Sequence, residues 1–151
     1  MAYQPLKTIM QANYFGSVYC SRHALPYLKQ SQGRFVVISS LNGKTGVPTR
    51  SGYAAGKHAI AGFFESLRVE ISQYGVSVTL IYPDFVKAEI QVRAFGPDGK
   101  PLRKSPVREA EVISADECAC LIIKAAGKRK REEVMGFRGR VGKWIKLIAP
   151  S

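Results

Sequence analysis

Two side chains that could move a proton, those of Tyr53 and Lys57, stand four positions apart in the 151-residue sequence. On a helix, residues with this spacing project from the same face. An ammonium group close to a phenol favours the ionised phenol, which can then act as a general acid or base near neutral pH. A Tyr-x3-Lys pair is common by chance, so its meaning depends on its surroundings.

A strand that ends in two hydroxyls precedes this pair. Residues 34–40, with the sequence RFVVISS, carry apolar residues at both odd and even positions, which predicts a strand buried on both faces of a parallel sheet. The strand ends in Ser39 and Ser40, and Ser40 lies 13 residues before Tyr53. Because chemistry in parallel sheets gathers beyond the carboxyl ends of the strands, we expect the Ser40 hydroxyl to approach the Tyr53 helix.

Helical and strand patterns alternate along the rest of the chain. Apolar residues at helical spacing and one Ser114 N-cap predict helices at 6–28, 52–73 and 114–126, with a last helical turn at 141–148. β-branched and apolar runs predict strands at 34–40, 76–82 and 132–136. This order predicts one α/β domain over residues 1–151, with a doubly wound parallel sheet of about three strands and helices on both faces.

The chain is strongly basic, with 23 Lys and Arg against 11 Asp and Glu and a net charge of +12. Nine basic and two acidic residues lie from Lys124 to the end, so the region from about residue 127 is a basic tail. Such a patch attracts anionic partners. No nucleic-acid-binding motif accompanies it, so no nucleic-acid partner is expected. If the proton-transfer groups are inactive, the alternative is that the chain is an inactive remnant. It would then act as a basic interaction module or at a membrane surface, where Trp144 would insert among the cations.

The composition argues against several other classes of protein. With 46% hydrophobic residues but no apolar run of about 20, the sequence predicts a globular chain without a membrane span. The amino terminus lacks the order of a signal peptide, so we expect a cytoplasmic location. The positions of Cys20, Cys118 and Cys120 relative to His23 and His58 match no zinc spacing. We therefore predict small buried or half-buried thiols and no metal site.

The stretch VVISSLNGK at 36–44, followed by YAAGK at 53–57, resembles the Ser…Tyr-x3-Lys signature of the short-chain dehydrogenase/reductase family at its usual spacing. Asn13, which begins the sequence NYFG, is similar to the family's fourth catalytic residue on the preceding helix. The resemblance is strongest over residues 6–83. It implies a partial Rossmann-like fold and hydride transfer between NAD or NADP and an alcohol or carbonyl carbon.

The resemblance also implies a role for each of these side chains. Tyr53 would exchange a proton with the substrate oxygen, and Ser40 would donate a hydrogen bond to that oxygen. Lys57 would assist Tyr53, and both would contact the nicotinamide ribose of the cofactor. Asn13 would hold a water of a proton relay. Ser39 is interpreted as a structural hydroxyl at the strand end, because Ser40 has the family's spacing.

The segment after the second predicted strand departs from the family pattern. The family usually has Pro-Gly there and, a few residues later, a Thr that helps to hold the nicotinamide carboxamide. In this sequence Asp84 follows Pro83, and Ala88 stands at the Thr position. We expect one hydrogen bond to the cofactor to be missing, whereas backbone groups at Val86 could still meet the carboxamide.

The family's glycine-rich phosphate-binding turn has no counterpart in the 151 residues. Gly136, Gly139 and Gly142 are interpreted as turns in the tail. The chain therefore resembles the second half of a family member, and the strand at 34–40 is expected to have an open edge. By itself, such a chain is predicted to bind NAD(P) weakly and to have little activity.

The resemblance suggests partners as well. Segment 84–114 would form the substrate lid, and its Phe85, Phe95 and Leu102 favour an apolar alcohol or ketone. Full-length relatives often pair through the helices that correspond to 6–28 and 52–73, which predicts a homo-oligomer.

Overall fold

A computed structural model of the chain describes residues 3–87, 112–136 and 139. Its centre is a sheet of three parallel strands, β1 (Arg34–Ile38), β2 (Ser77–Tyr82) and β3 (Glu132–Val134), in that spatial order. Val37 lies opposite Leu80 in β2, and Leu80 in turn lies opposite the first residue of β3. The predicted fold, a partial parallel α/β sheet of three strands, is confirmed.

The described residues form four α-helices and one π-helical turn. They are α1 (Tyr3–Met10), a π-helical turn (Gln11–Phe15), α2 (Gly16–Ser31), α3 (Ser51–Ile71) and α4 (Ala115–Gly127). Residue Gln32, with a φ of 49°, caps α2, and Gly75, with a φ of 68°, ends the 3₁₀ turn that follows α3. Ser114 Oγ accepts a hydrogen bond from the amide of Glu117 at 3.1 Å, so the predicted N-cap is confirmed. The π-helical turn inside the first predicted helix was not indicated by the periodicity.

Helices cover the sheet on both faces. On one face, alternate residues of the three strands pack against the apolar side of α3; they are Phe35, Val37, Val78, Leu80, Tyr82 and Val134. On the other face, Ile81 packs against Cys118 and Ala125 of α4 and against Met135. Leu80 and Ile81 have no exposed surface. Complete burial of each such side chain contributes about 1.5–3 kcal/mol.

The prediction that β1 is buried on both faces is wrong. Phe35 and Val37 are buried, whereas Val36 and Ile38 are 39% and 45% exposed. On this face α4 approaches all three strands but leaves these two side chains of β1 partly open to solvent. Among the described strands β1 pairs only with β2, so its outer edge is open, as the resemblance to half of a family member implies.

The beginning of the predicted basic tail belongs to the body of the fold. Arg129 donates to the carbonyl oxygens of Gly75 and Gln32 at 2.7 and 2.8 Å. The guanidinium of Arg131 lies 2.8 Å from a carboxylate oxygen of Glu65 on α3. These cations hold the amino ends of the strands together, which disfavours the alternative of a free basic module. Residues 140–151, which include Trp144 and the predicted turn at 141–148, lie outside the described residues.

Two further predictions are tested in part. Cys118 is buried as predicted, but Cys20 and Cys120 are exposed free thiols. In the ranges that the structure describes, no helix combines the length and the hydropathy needed to cross a bilayer. Most of segment 84–114, with Phe95 and Leu102, lies outside the described residues.

Candidate active site

The predicted hydroxyl of Ser40 stands at the start of a short turn beyond the sheet. Ser40 has an extended backbone and leads directly into a 3₁₀ turn, Leu41–Gly43; we call residues 40–43 the Ser40 turn. The Ser40 Oγ accepts a hydrogen bond from the amide of Asn42 at 3.3 Å. The amide of Leu41 donates to the carbonyl of Pro83 at 3.3 Å, which fastens the turn to the carboxyl end of β2.

Ser39 and Gly43 attach the Ser40 turn to α3. The buried Ser39 Oγ donates to the carbonyl oxygen of Lys57 at 3.3 Å, and the Ser39 amide donates to Ile81 at 2.8 Å. A Cβ on Gly43 would lie 2.8 Å from the same Lys57 carbonyl oxygen and 2.6 Å from Ser39 Oγ. These contacts agree with a structural role for Ser39. They also identify Gly43, which sequence reasoning missed, as the residue that permits the turn to approach the helix.

Lys57 connects the end of β1 with Tyr53. Both side chains lie half-buried near the beginning of α3. Lys57 Nζ donates to the carbonyl oxygen of Ile38 at 3.1 Å and lies 5.7 Å from the centroid of the Tyr53 ring. Burial lowers the pKa of Lys57 below its ordinary value, because the ammonium loses hydration. Lys57 therefore lies beside the Tyr53 ring on one face of α3, as the four-residue spacing predicts, and also reaches the end of β1.

Asn13 lies in the π-helical turn Gln11–Phe15, against α3. Its Nδ2 donates to the carbonyl of Ile9 at 3.1 Å. A Cβ on Gly56 would lie 3.4 Å from Asn13 Cβ, so the glycine next to Lys57 brings the two helices close together here. Isolated π-helical turns occur frequently at functional sites. Gly56 was a second positioning residue that sequence reasoning missed, although it stands inside the YAAGK signature.

A parallel backbone bridge between Val86 and Ile113 holds the described part of the segment after β2. The amide of Ile113 donates to the carbonyl of Phe85 at 3.0 Å, and the amide of Lys87 donates to the carbonyl of Ile113 at 2.9 Å. These two bonds use the residues on either side of Val86. Pro83 lies between β2 and this bridge, and its carbonyl accepts the bond from the Ser40 turn described above. Ala88 lies outside the described residues.

Asp84, which replaces the family's glycine, packs against the end of β3. Gly136 lies at a bend with a φ of 82°, and a Cβ there would lie 2.8 Å from the Asp84 carboxylate. Gly139 lies in a close contact. A Cβ there would lie 2.5 Å from a side-chain atom of Leu41 and 2.7 Å from a side-chain atom of Val134. The interpretation of Gly139 as only a turn was incomplete, because it packs against the Ser40 turn. Gly142 lies outside the described residues.

The predicted site residues are thus linked through α3. The Ser40 turn contacts the backbone of Lys57, the side chain of Lys57 faces Tyr53, and Asn13 contacts the adjacent Gly56. Within residues 3–87 and 112–136, no group of three or more His, Cys, Asp or Glu could hold a metal ion. The phenol of Tyr53, the hydroxyl of Ser40 and the ammonium of Lys57 are groups that can donate hydrogen bonds and exchange protons.

Known proteins resemble the chain over this region. A family model described as short chain dehydrogenase matches residues 1–97. A protein of Xenopus tropicalis called dehydrogenase/reductase SDR family member 7B is 34% identical over 147 residues, which is 96% of this chain and 48% of the relative. A dehydrogenase/reductase SDR family protein 7-like of Dictyostelium discoideum is 37% identical over 94% of this chain and 43% of its own. The chain spans about half the length of these curated relatives.

Solved structures have the same fold. A short chain dehydrogenase from Burkholderia cenocepacia in complex with NADP superposes with a TM-score of 0.80 at 19% identity, over 96% of this chain and 55% of that protein. A short-chain dehydrogenase from Streptomyces avermitilis gives a TM-score of 0.79 at 20% identity, over 99% and 60%. At these identities the likeness concerns the arrangement of the elements.

Proposed function

Because the chain belongs to the short-chain dehydrogenase family, we propose that it supplies the catalytic half of an NAD(P)-dependent oxidoreductase. The reaction would transfer hydride between nicotinamide and an alcohol or carbonyl carbon. The observation that carries this proposal is the position of Lys57, whose ammonium lies between the end of β1 and the Tyr53 ring. The chain spans about half of its relatives, so the complete reaction is proposed for the complete catalytic unit.

The four side chains would divide the work on the substrate oxygen. Tyr53 would give its hydroxyl proton to the oxygen during reduction, and the Lys57 ammonium would stabilise the phenolate that remains. Ser40 would donate a hydrogen bond to the same oxygen as negative charge develops there. Asn13 Nδ2 is engaged with Ile9, so its Oδ1 is the atom proposed to accept a hydrogen bond from a relay water.

The residues present fit the nicotinamide half of a cofactor. Nicotinamide, when bound, supplies the hydride. Tyr53 and Lys57 offer a hydroxyl and an ammonium to ribose hydroxyls, and Pro83 and Val86 lie on the backbone segment proposed to face the carboxamide. The glycine-rich turn that would bind pyrophosphate is missing from the sequence. Phe85, at the start of the proposed lid, is consistent with an apolar alcohol or ketone as substrate.

The chain alone is expected to bind NADH or NADPH without saturation at micromolar concentrations, because the pyrophosphate lacks its helix-terminus site. Titration followed by nicotinamide fluorescence measures this. Adding an amino-terminal half taken from a close relative should give saturable binding together with carbonyl reduction. Micromolar binding by the lone chain, or no reduction after complementation, would count against the proposal.

We also propose that two copies pair through α2 and α3. The exposed rings of Phe15 and Tyr19 lie 6.1 Å apart, and the neighbouring Tyr14 contacts Phe63 of α3 at the same distance. Two such aromatic faces would bury apolar surface on pairing. In sedimentation velocity, Y19D is expected to give a monomer, while I123D, at an exposed position on α4, should sediment like the parent. A monomeric parent contradicts this proposal.

A further inference from the structure

A long-range ion pair lies directly behind the Ser40 turn. Lys44, the first residue after the turn, places its Nζ 2.7 Å from Glu132 Oε2, and the two side chains are only 26% and 22% exposed. The same Nζ lies 4.2 Å from the centroid of the Tyr82 ring. Glu132 is 88 residues away in sequence and is the first residue of β3. The pair therefore connects the turn with the opposite edge of the sheet.

This contact completes the attachment of the turn. The amide of Leu41 holds its beginning to Pro83, and the amide of Lys44 closes the 3₁₀ turn by donating to the carbonyl of Leu41 at 2.9 Å. The Lys44 side chain then holds the exit of the turn to β3. Glu132 lies opposite Leu80, a fully buried residue of the central strand, so the anchor belongs to the paired part of the sheet.

The surroundings of Lys44 and Glu132 stabilise the ion pair between them. Burial, followed by the negative charge of Glu132, raises the pKa of Tyr82 to about 12, so the ring beside Lys44 carries a neutral phenol at physiological pH. A cation over a neutral aromatic face and against a carboxylate is attracted by both. Since the pair is mostly shielded from solvent, removing either partner takes a close counter-ion away from a half-buried charge.

We propose that Lys44 and Glu132 are a positioning pair, which sets the orientation of the Ser40 hydroxyl toward the substrate oxygen. This inference rests on the proposed function. It makes the catalytic turn depend on β3, a strand outside the residues 1–97 that match the family model. Neither side chain touches the reacting atoms; each acts through the turn.

Hydrogen exchange and kinetics together test the pair. K44M and E132Q are each expected to speed exchange of the Gly43 and Lys44 amides about tenfold. With the amino-terminal half supplied, each should lower kcat about tenfold and change KM less than twofold, because Ser40 acts in the transition state. The double variant should be no worse than either single one. K44R should keep most of the activity.

A neighbouring pair provides the matched control. Lys130 and Glu133 form an ion pair of 2.6 Å, also between Lys and Glu and also at β3, but it is local and does not reach the turn. K130M and E133Q should leave both exchange and kcat unchanged. Unchanged exchange in K44M, an equal effect in K130M, or strictly additive losses in the double variant would overturn the inference. A parent that reduces no carbonyl would instead overturn the proposed function, while exchange still decides whether the pair holds the turn.

Discussion

Y53F is expected to lower the rate of NAD(P)H-dependent carbonyl reduction by about 10²- to 10⁴-fold, the usual contribution of a positioned general acid. The substitution removes the proton that would pass to the substrate oxygen and leaves the ring beside Lys57. The free energy of unfolding should change by less than about 0.5 kcal/mol, because no packing atom is lost. Steady-state kinetics on the complemented chain, with thermal unfolding of the lone chain, measure both quantities.

Y27F is the control for this experiment. Tyr27 is 73% exposed on α2, so losing its hydroxyl should affect neither rate nor stability. A Y53F variant with more than a tenth of the parent rate would remove Tyr53 from the proposed mechanism. A rate loss that accompanies a large loss of stability would indicate a structural role instead.

The places of the proposed catalytic residues in the fold could be predicted because their relations are local. Tyr53 and Lys57 share a helix face through a four-residue spacing, and Ser40 follows directly from the end of β1. Local patterns also gave the Ser114 N-cap and the end of α3 near Gly75. Each of these depends on neighbours in sequence, so no knowledge of the folded chain was required.

Features that depend on distant elements could not be predicted in this way. The two-sided burial expected for β1 failed because burial of Val36 and Ile38 depends on how closely another element packs over them, and α4 packs its apolar side chains on Ile81 of β2 instead. The ion pair between Lys44 and Glu132 joins residues that no periodicity relates. The π-helical turn at Asn13 likewise changes the backbone without any change in the apolar pattern.

The glycine that contacts the Ser40 turn also shows what a single sequence does not predict. Gly139 was assigned to a turn, yet it is small because Leu41 and Val134 leave no room for a Cβ. A glycine in a turn and a glycine in a close contact look identical in one sequence. Only the neighbouring atoms distinguish the two roles, and these come from elsewhere in the chain.

G43A is expected to reduce carbonyl reduction about 100-fold, the cost of misplacing a reacting group by about 1 Å. Gly43 does not have a positive φ, so its backbone conformation permits alanine. The obstacle is space: the new methyl would lie 2.6 Å from Ser39 Oγ and 2.8 Å from the Lys57 carbonyl oxygen, which is backbone of α3. The Ser40 turn must therefore move away from the helix. Such overpacking also costs roughly 1–3 kcal/mol of stability.

G62A separates this effect from the general cost of replacing a glycine. Gly62 is a glycine of α3 itself. A Cβ there would meet no atom of another part of the described chain within 4 Å. Alanine there should preserve the rate and stabilise the helix by about 0.5–1 kcal/mol. Denaturant unfolding and kinetics on both variants measure the contrast. If G43A kept the parent rate, Ser40 could not depend on the close contact between its turn and α3, and its proposed hydrogen bond to the substrate oxygen would lose its structural basis.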